Sequence, residues 1–137
     1  MTTEQFVSEF IELFPRQKAY YDEHIKDYSK ILGHVFFGDV INRPLASLLE
    51  TNTDKASIRK YIGFVEHMYA FGDDDVKNIV LVTILEYLGD YDIVLKNAFE
   101  YFSDELIEES KQIEKTLGRR KIVISRKNGR TCTRWES

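Results

Sequence analysis

The apolar residues of this chain recur at helical spacing and are interrupted at short intervals by proline, glycine and aspartate. In residues 6–14 they lie three or four positions apart and stop at Pro15, which cannot donate the hydrogen bond of a continuing helix. Residues 58–71 show the same spacing and end at Gly72. The pattern predicts an all-α fold of helices joined by very short turns, including a second helix from about Arg16 to Leu32 that stops at Gly33.

The middle of the chain carries the clearest signals for the starts of helices. Thr53 or Asp54, Asp73 and Ser103 each precede an apolar periodic stretch and are good N-caps. The run Ile79–Leu85 is apolar on every side; its length and flanking caps favour a helix enclosed by neighbours over a buried strand. Residues 34–50 are less regular, and Asn42–Pro44 predicts a break or a helix start.

A short pattern recurs before several predicted helices. Gly72–Val76 and Gly89–Ile93 share Gly-Asp-x-Asp-(Val/Ile), 17 residues apart, and Gly38–Val40 lies 34 residues before the first. Thirty-four residues is the length of a helix pair in α-solenoids. The sequence therefore predicts antiparallel helical hairpins stacked as a short HEAT-like solenoid, with the turns near Asp39 and Asp73 on one edge, or else a compact bundle.

Length and composition narrow the class of protein. The 137 residues suffice for one domain, and no apolar run approaches the roughly 20 residues that cross a bilayer. The start lacks the basic and apolar regions of a secretory signal, and Cys132 is the single cysteine. These features predict a cytoplasmic protein that is not inserted in a membrane.

Charge is divided unevenly along the chain. Residues 119–137 hold seven basic residues and one acid, for a net charge of +6, although the whole chain is −4. Residues 1–118 therefore carry −10. We expect an acidic helical domain over 1–118 and a basic tail over 119–137.

The tail has the alternation and turn signal of a β-hairpin. Asn128-Gly129 tolerates the positive φ angles of a two-residue turn. Pairing across it places Ile122 opposite Trp135, and Ile124 opposite Thr133. A lone hairpin is marginal in water, so a flexible tail is the alternative.

No residue pattern points to catalysis or to a metal. The three histidines are scattered, and His24 lies on an apolar stripe, where a satisfied, half-buried histidine is expected. Glu66 and His67 are adjacent on a helix and do not face each other. Asp73–Asp75 lacks the glycine and distal glutamate of a calcium loop. We predict no enzyme activity, no cofactor and no metal.

Two segments carry a resemblance to known proteins. His34–Leu45 and Ile79–Gly89 resemble the corresponding parts of a group of small, uncharacterised helical proteins of bacteria. The resemblance covers about residues 30–118 and excludes the basic tail. It implies a HEAT-like helical stack and an interaction role, and some such proteins occur among the immunity proteins of toxin systems.

Two functions remain open. The first is a protein–protein interaction module, such as an immunity or inhibitor protein, that binds a basic partner through acids at the helix turns and nearby aromatic residues. The predicted binding residues are Asp39, Asp73, Asp74, Asp75, Asp90, Tyr91 and Asp92, and Phe36, Phe37 and Tyr87 are further candidate anchors.

The second function is a nucleic-acid-associated adaptor that uses the tail. Its predicted contacts are Arg119, Arg120, Lys121, Arg126, Lys127, Arg130, Arg134 and Trp135. A tail that folds onto a second copy of the chain would instead give a homodimer.

Overall fold

The computed structural model describes residues 1–127 and 130–136, which are helical up to Leu117 and end in two antiparallel strands. The α-helices are α1 (Thr3–Leu13), α2 (Lys18–Tyr28), α3 (Gly33–Phe37), α4 (Arg43–Thr51), α5 (Lys55–Phe71), α6 (Asp74–Asn78), α7 (Glu86–Leu88), α8 (Asp92–Ala98) and α9 (Asp104–Leu117). A 3₁₀ turn (Pro15–Gln17), two π-helical segments (Gly38–Asn42 and Ile79–Leu85) and strands β1 (Lys121–Lys127) and β2 (Arg130–Glu136) complete the elements. The predicted all-α fold with a C-terminal hairpin is confirmed. In the described part of the chain, no helix has both the length and the apolar character needed to cross a membrane.

The predicted N-caps lie where the sequence places them. The side chain of Asp54 accepts a hydrogen bond from Ser57 N at 3.2 Å. Asp73 accepts one from Val76 N at 3.0 Å. Ser103 caps α9 in the same way. Each cap pairs a backbone N–H that has no partner inside its helix, so local sequence sets these starts.

The second helix ends four residues before the predicted position, and the chain is continuously helical at Gly38, although residues 34–50 look less regular in sequence. Helix α2 ends earlier, at Tyr28, where Ser29 adopts a left-handed φ of 62°, and Gly33 begins α3. The chain then runs from α3 through the π segment Gly38–Asn42 into α4 without a turn. A glycine inside a helix costs only about 1 kcal/mol. Burial of the adjacent apolar side chains, Phe36, Phe37, Val40 and Ile41, outweighs that cost.

The π segment also accommodates Pro44. Proline lacks a backbone donor, and the helical hydrogen-bonding pattern changes just before it, so no regular α-helical bond is lost there. Asp39 therefore lies inside a helical stretch, and its predicted turn on the same edge as the Asp73 turn does not exist.

The core is a continuous cluster built largely from phenylalanine. Phe10 stacks on Phe14 at 4.5 Å and meets the edge of Phe64 at 5.2 Å between ring centroids. Phe36 and Phe37 are completely buried in the same cluster, so they are not partner anchors. Aromatic pairs of this geometry stabilise a core beyond their buried area.

Two apolar residues whose helical spacing predicts burial, Val82 and Ile93, are about half exposed. The run Ile79–Leu85 is helical, as predicted, but Val82 is 48% exposed, so the run is not enclosed on every side. Ile93 is 50% exposed at the start of α8. Periodicity identifies an apolar face, whereas the arrangement of neighbouring helices determines how much of it is covered.

The hairpin packs on the helical body. Its register places Ile122 opposite Trp135, and Ile124 opposite Thr133, as predicted. Ile122 is buried, and Trp135 stacks on Phe99 with 5.4 Å between ring centroids. The predicted turn at Asn128-Gly129 lies outside the described residues.

Candidate partner-binding cleft

A buried carboxylate joins the end of α9 to the residues that follow it. Glu114 is 1% exposed and accepts hydrogen bonds from Arg119 Nε at 3.0 Å and Nη2 at 2.7 Å, and from Arg120 Nη1 at 2.9 Å. Gly118 provides the sharp reversal that brings these arginines back, with a left-handed φ of 68°. The hydrogen bond to Glu114 raises the pKa of Arg119 above its ordinary value. We call Glu114, Arg119 and Arg120 the Glu114 clasp.

The same two arginines fix the loop of residues 89–92, here named the Tyr91 loop. Arg119 donates to Asp90 Oδ1 at 2.7 Å and to Glu86 O at 3.0 Å. Arg120 donates to the carboxylate of Asp92 and to Gly89 O. Both ends of the loop are therefore held by charge-assisted hydrogen bonds, which are stronger than neutral ones.

Gly89 allows the loop to approach the clasp closely. A Cβ atom at this position would overlap Glu114 Oε1 and Arg119 Nη2. In sequence, Gly89 marks only a boundary between helices, whereas in the structure the absence of a side chain also makes room for the ion pair.

The structure brings together residues that the sequence assigns to two different functions. Asp90 and Asp92 are predicted to bind a protein partner, and Arg119 and Arg120 to bind nucleic acid, yet they pair with each other. Trp135 is also engaged, because Lys96 and Arg120 lie over its ring at 5.5 and 5.7 Å. The basic start of the tail therefore contacts the acidic turn of the body.

Sequence reasoning missed Glu114. The spacing of its apolar residues predicts that α9 buries a narrow stripe of Leu106, Ile113 and Leu117. Instead the helix buries Leu106, Ile107, Ser110 and Glu114, and Leu117 is exposed. The available signal was that Glu114 lies seven positions after Ile107, on the same helical face.

A cleft of about 560 Å³ lies beside the Tyr91 loop. We call it the Tyr91 cleft; its lining residues are Arg43, Ala46, Ser47, Glu50, Tyr87, Tyr91, Ile93 and Val94. Tyr91 is 63% exposed and Ile93 50% exposed. Large apolar side chains presented at a concave site are typical of a binding surface.

Hydrogen bonds join helices α4 and α8, which carry most of the residues that line the cleft. Asn97 Nδ2 donates to Leu49 O at 2.7 Å, and Asn52 Nδ2 donates to Glu100 Oε2 at 3.1 Å. Leu49 and Asn97 lie near the C-terminal ends of α4 and α8, and Asn52 and Glu100 follow those ends, so the two helices end side by side and run in the same direction. Arg43 consequently lies at the Tyr91 end of the cleft and Glu50 at the other end.

The remaining predicted acids lie outside the cleft lining. Asp39 accepts a hydrogen bond from the Tyr20 hydroxyl. Burial and this bond raise the pKa of Tyr20 to about 12. Asp73 caps α6, and Asp74 and Asp75 are exposed in the first turn of that helix.

The remaining predicted tail residues lie along the hairpin. Lys121 begins β1, and Arg134 pairs with Val123 across the strands. The backbone of Arg126, Lys127 and Arg130 is in the strands, and their side chains lie outside the described part of the structure. A second groove, of about 520 Å³, is lined by residues of α9 and β1 that include Lys111, Lys115 and Lys121.

The candidate acid–base groups have separate partners. Glu66 accepts hydrogen bonds from the backbone and hydroxyl of Ser103, both at 2.8 Å. His67 instead contacts Glu9 at 2.8 Å, so the expectation that Glu66 and His67 do not face each other is confirmed. His24 is more buried than expected: its Nε2 accepts from Leu32 N, and its Nδ1 has no partner among the described residues. Within residues 1–127 and 130–136, no group of three His, Cys, Asp or Glu side chains is arranged to hold a metal.

The comparisons with known proteins give one match. Neither a curated protein nor a solved structure matches the chain. A family model described as "Domain of unknown function (DUF7674)" matches residues 7–118. The matched range includes the Tyr91 cleft and Glu114 and ends just before the clasp arginines. Because the match covers most of the 137 residues, the chain belongs to the DUF7674 family.

Proposed function

We propose that this protein is a binding module that recognises another protein through the Tyr91 cleft. The observation that carries the proposal is the exposure of Tyr91 and Ile93 on a loop and helix start fixed by the Glu114 clasp. Aromatic side chains give a large contact area with few rotatable bonds, and a fixed loop loses little entropy on binding. Both features favour use of the loop as an anchor.

The charge of the molecule supports a basic partner. The chain carries a net charge of −4, and the two tail arginines already neutralise part of the acidic turn at Asp90 and Asp92. The remaining negative charge would accelerate encounter with a basic protein and disfavour acidic ones. The acids therefore steer the partner, and the cleft provides the contact.

The more specific form of this proposal is an inhibitor of a basic protein, as in a toxin–immunity pair. It rests on the resemblance of His34–Leu45 and Ile79–Gly89 to small bacterial helical proteins, some of which occur in such systems. Co-expression tests it directly: the protein should relieve the growth defect caused by a toxin encoded beside it, and a Tyr91→Ser variant should not.

Affinity capture from the native lysate tests the general proposal. Wild type, Tyr91→Ser and Tyr28→Ser are compared, because Tyr28 is an exposed tyrosine on α2, outside the cleft. We expect one stoichiometric protein to be retained by wild type and Tyr28→Ser, lost by Tyr91→Ser, and released by salt. Loss of a central aromatic anchor costs at least about 2 kcal/mol, or roughly thirtyfold in affinity. Equal capture by all three proteins would contradict the proposal.

The groove beside Lys111, Lys115 and Lys121 favours a second candidate function, nucleic-acid binding. Its lysines lie beside the apolar start of β1, so the groove offers cations to a phosphate backbone next to an apolar surface. Lys111→Glu/Lys115→Glu should abolish salt-dependent binding of single-stranded RNA or DNA while leaving protein capture unchanged. If wild type retains no nucleic acid at low salt, this candidate fails.

A further inference from the structure

The Tyr91 cleft has charges of opposite sign at its two ends. Arg43 and Glu50 lie seven positions apart on α4, with Ala46 and Ser47 between them on the same face. Two helical turns separate the charged residues by about 10 Å along the helix axis. Because the intervening side chains are small, the floor between the charges is open.

Within the described residues, neither of these charged side chains has an internal partner. Both residues are exposed, and their side chains form no ion pair or hydrogen bond with another described residue. In this they differ from Asp90 and Asp92, which form ion pairs with the tail arginines. The opposite wall is apolar at Ile93 and Val94. A complementary ligand therefore has an apolar middle and one charge of each sign at its ends.

We propose that the cleft receives an amphipathic helix of the partner that carries an acidic and a basic side chain seven residues apart. Apolar side chains three and four residues after the first charged one would contact Tyr91 and Ile93, because positions i, i+3, i+4 and i+7 share one helical face. The acidic side chain pairs with Arg43 and the basic one with Glu50. This inference rests on the proposed protein-binding function and specifies the segment that the cleft recognises.

Synthetic peptides test the charge pattern without knowledge of the natural partner. Five leucine- and alanine-rich helical peptides of about 18 residues are long enough to form a helix in water. At the two spaced positions they carry an acid and a base, two acids, two bases, or two glutamines. The acid–base peptide is made in both sequence orders. Binding is measured by fluorescence polarisation with wild type, Arg43→Glu, Glu50→Lys and the control Lys26→Glu, an exposed α2 position.

We expect wild type and Lys26→Glu to prefer one order of the acid–base peptide by about fivefold over the two-acid and two-base peptides, since each exposed pair contributes up to about 1 kcal/mol. Arg43→Glu should prefer two bases, and Glu50→Lys two acids. Equal affinities for all peptides, preferences that do not follow the charges at 43 and 50, or no binding of the acid–base peptides would overturn the inference. In any of these cases, capture that still depends on Tyr91 would leave the proposed function standing. If peptide binding follows the charges at 43 and 50 but capture from the lysate does not depend on Tyr91, the charge pattern of the cleft stands and the proposed function fails.

Discussion

Removing both arginines of the Glu114 clasp should destabilise the protein strongly. In Arg119→Met/Arg120→Met, the Glu114 carboxylate stays 1% exposed and loses all three of its hydrogen bonds to the guanidinium groups. An uncompensated buried charge costs about 3–5 kcal/mol. For a chain of this size, each kcal/mol lowers the melting temperature by about 3 °C, so we expect a decrease of about 10–15 °C.

The assay is urea and thermal unfolding followed by circular dichroism, with two companion variants. Lys18→Met breaks the exposed Lys18–Asp22 pair, in which both side chains are more than half exposed, and should change stability by less than about 0.5 kcal/mol. Adding Glu114→Gln to the double variant removes the buried charge itself and should recover more than half of the lost stability.

Recovery by Glu114→Gln is the decisive observation. Methionine also removes the contact of Arg120 with Trp135 and the hydrogen bonds to the Tyr91 loop, and glutamine at 114 restores neither. If the triple variant is as unstable as the double variant, the loss comes from those contacts and the buried-charge argument is refuted. A double variant within about 1 kcal/mol of wild type would refute it as well.

Three further outcomes follow from single contacts. Gly89→Ala should lose about 2 kcal/mol in urea unfolding because its Cβ enters the Glu114 clasp, whereas Gly63→Ala, with open space around an α5 position, should gain about 0.5–1 kcal/mol. The pKa of Tyr20 in the folded protein is about 12, above its ordinary 10.0. Tyr20 therefore contributes fully to the free energy of unfolding below pH 10, and this contribution declines as the pH rises towards 12. Between these pH values, the stability of Tyr20→Phe should depend less on pH than that of wild type. Glu66→Ala should lose about 1–3 kcal/mol because it removes both acceptors of Ser103 at the start of α9; a thermal melt that moves by less than 2 °C would contradict this.

Those parts of the fold that depend on local chemistry could be predicted from the sequence. Asp54, Asp73 and Ser103 cap helices because a side-chain oxygen beside free N–H groups needs no distant partner. The hairpin register follows from alternation around Asn128-Gly129 in the same way. The continuity of Gly33–Thr51 could not be predicted, because it depends on burial against helices distant in sequence.

The candidate site was only partly accessible from the sequence. Tyr91 could be proposed from the sequence because it lies between two aspartates at a predicted helix turn, where an aromatic side chain offers a large contact area. The pairing of Asp90 with Arg119 joins positions 29 residues apart, and local patterns carry no information about it. The floor of the cleft was missed for the same reason: Arg43 and Glu50 are unremarkable on α4 until α8 is placed parallel to it.

The uneven charge along the chain has a different meaning in the folded protein. Read along the sequence, an acidic body and a basic tail are separate surfaces for separate partners. In the structure the first two tail arginines form ion pairs with Glu114, Asp90 and Asp92, and so hold the loop that presents Tyr91. Because the clasp orders this loop before any partner arrives, changes at Arg119 or Arg120 should weaken binding at the cleft even though neither residue lines it. If the proposed function holds, the tail contributes to binding, although the family match ends at residue 118.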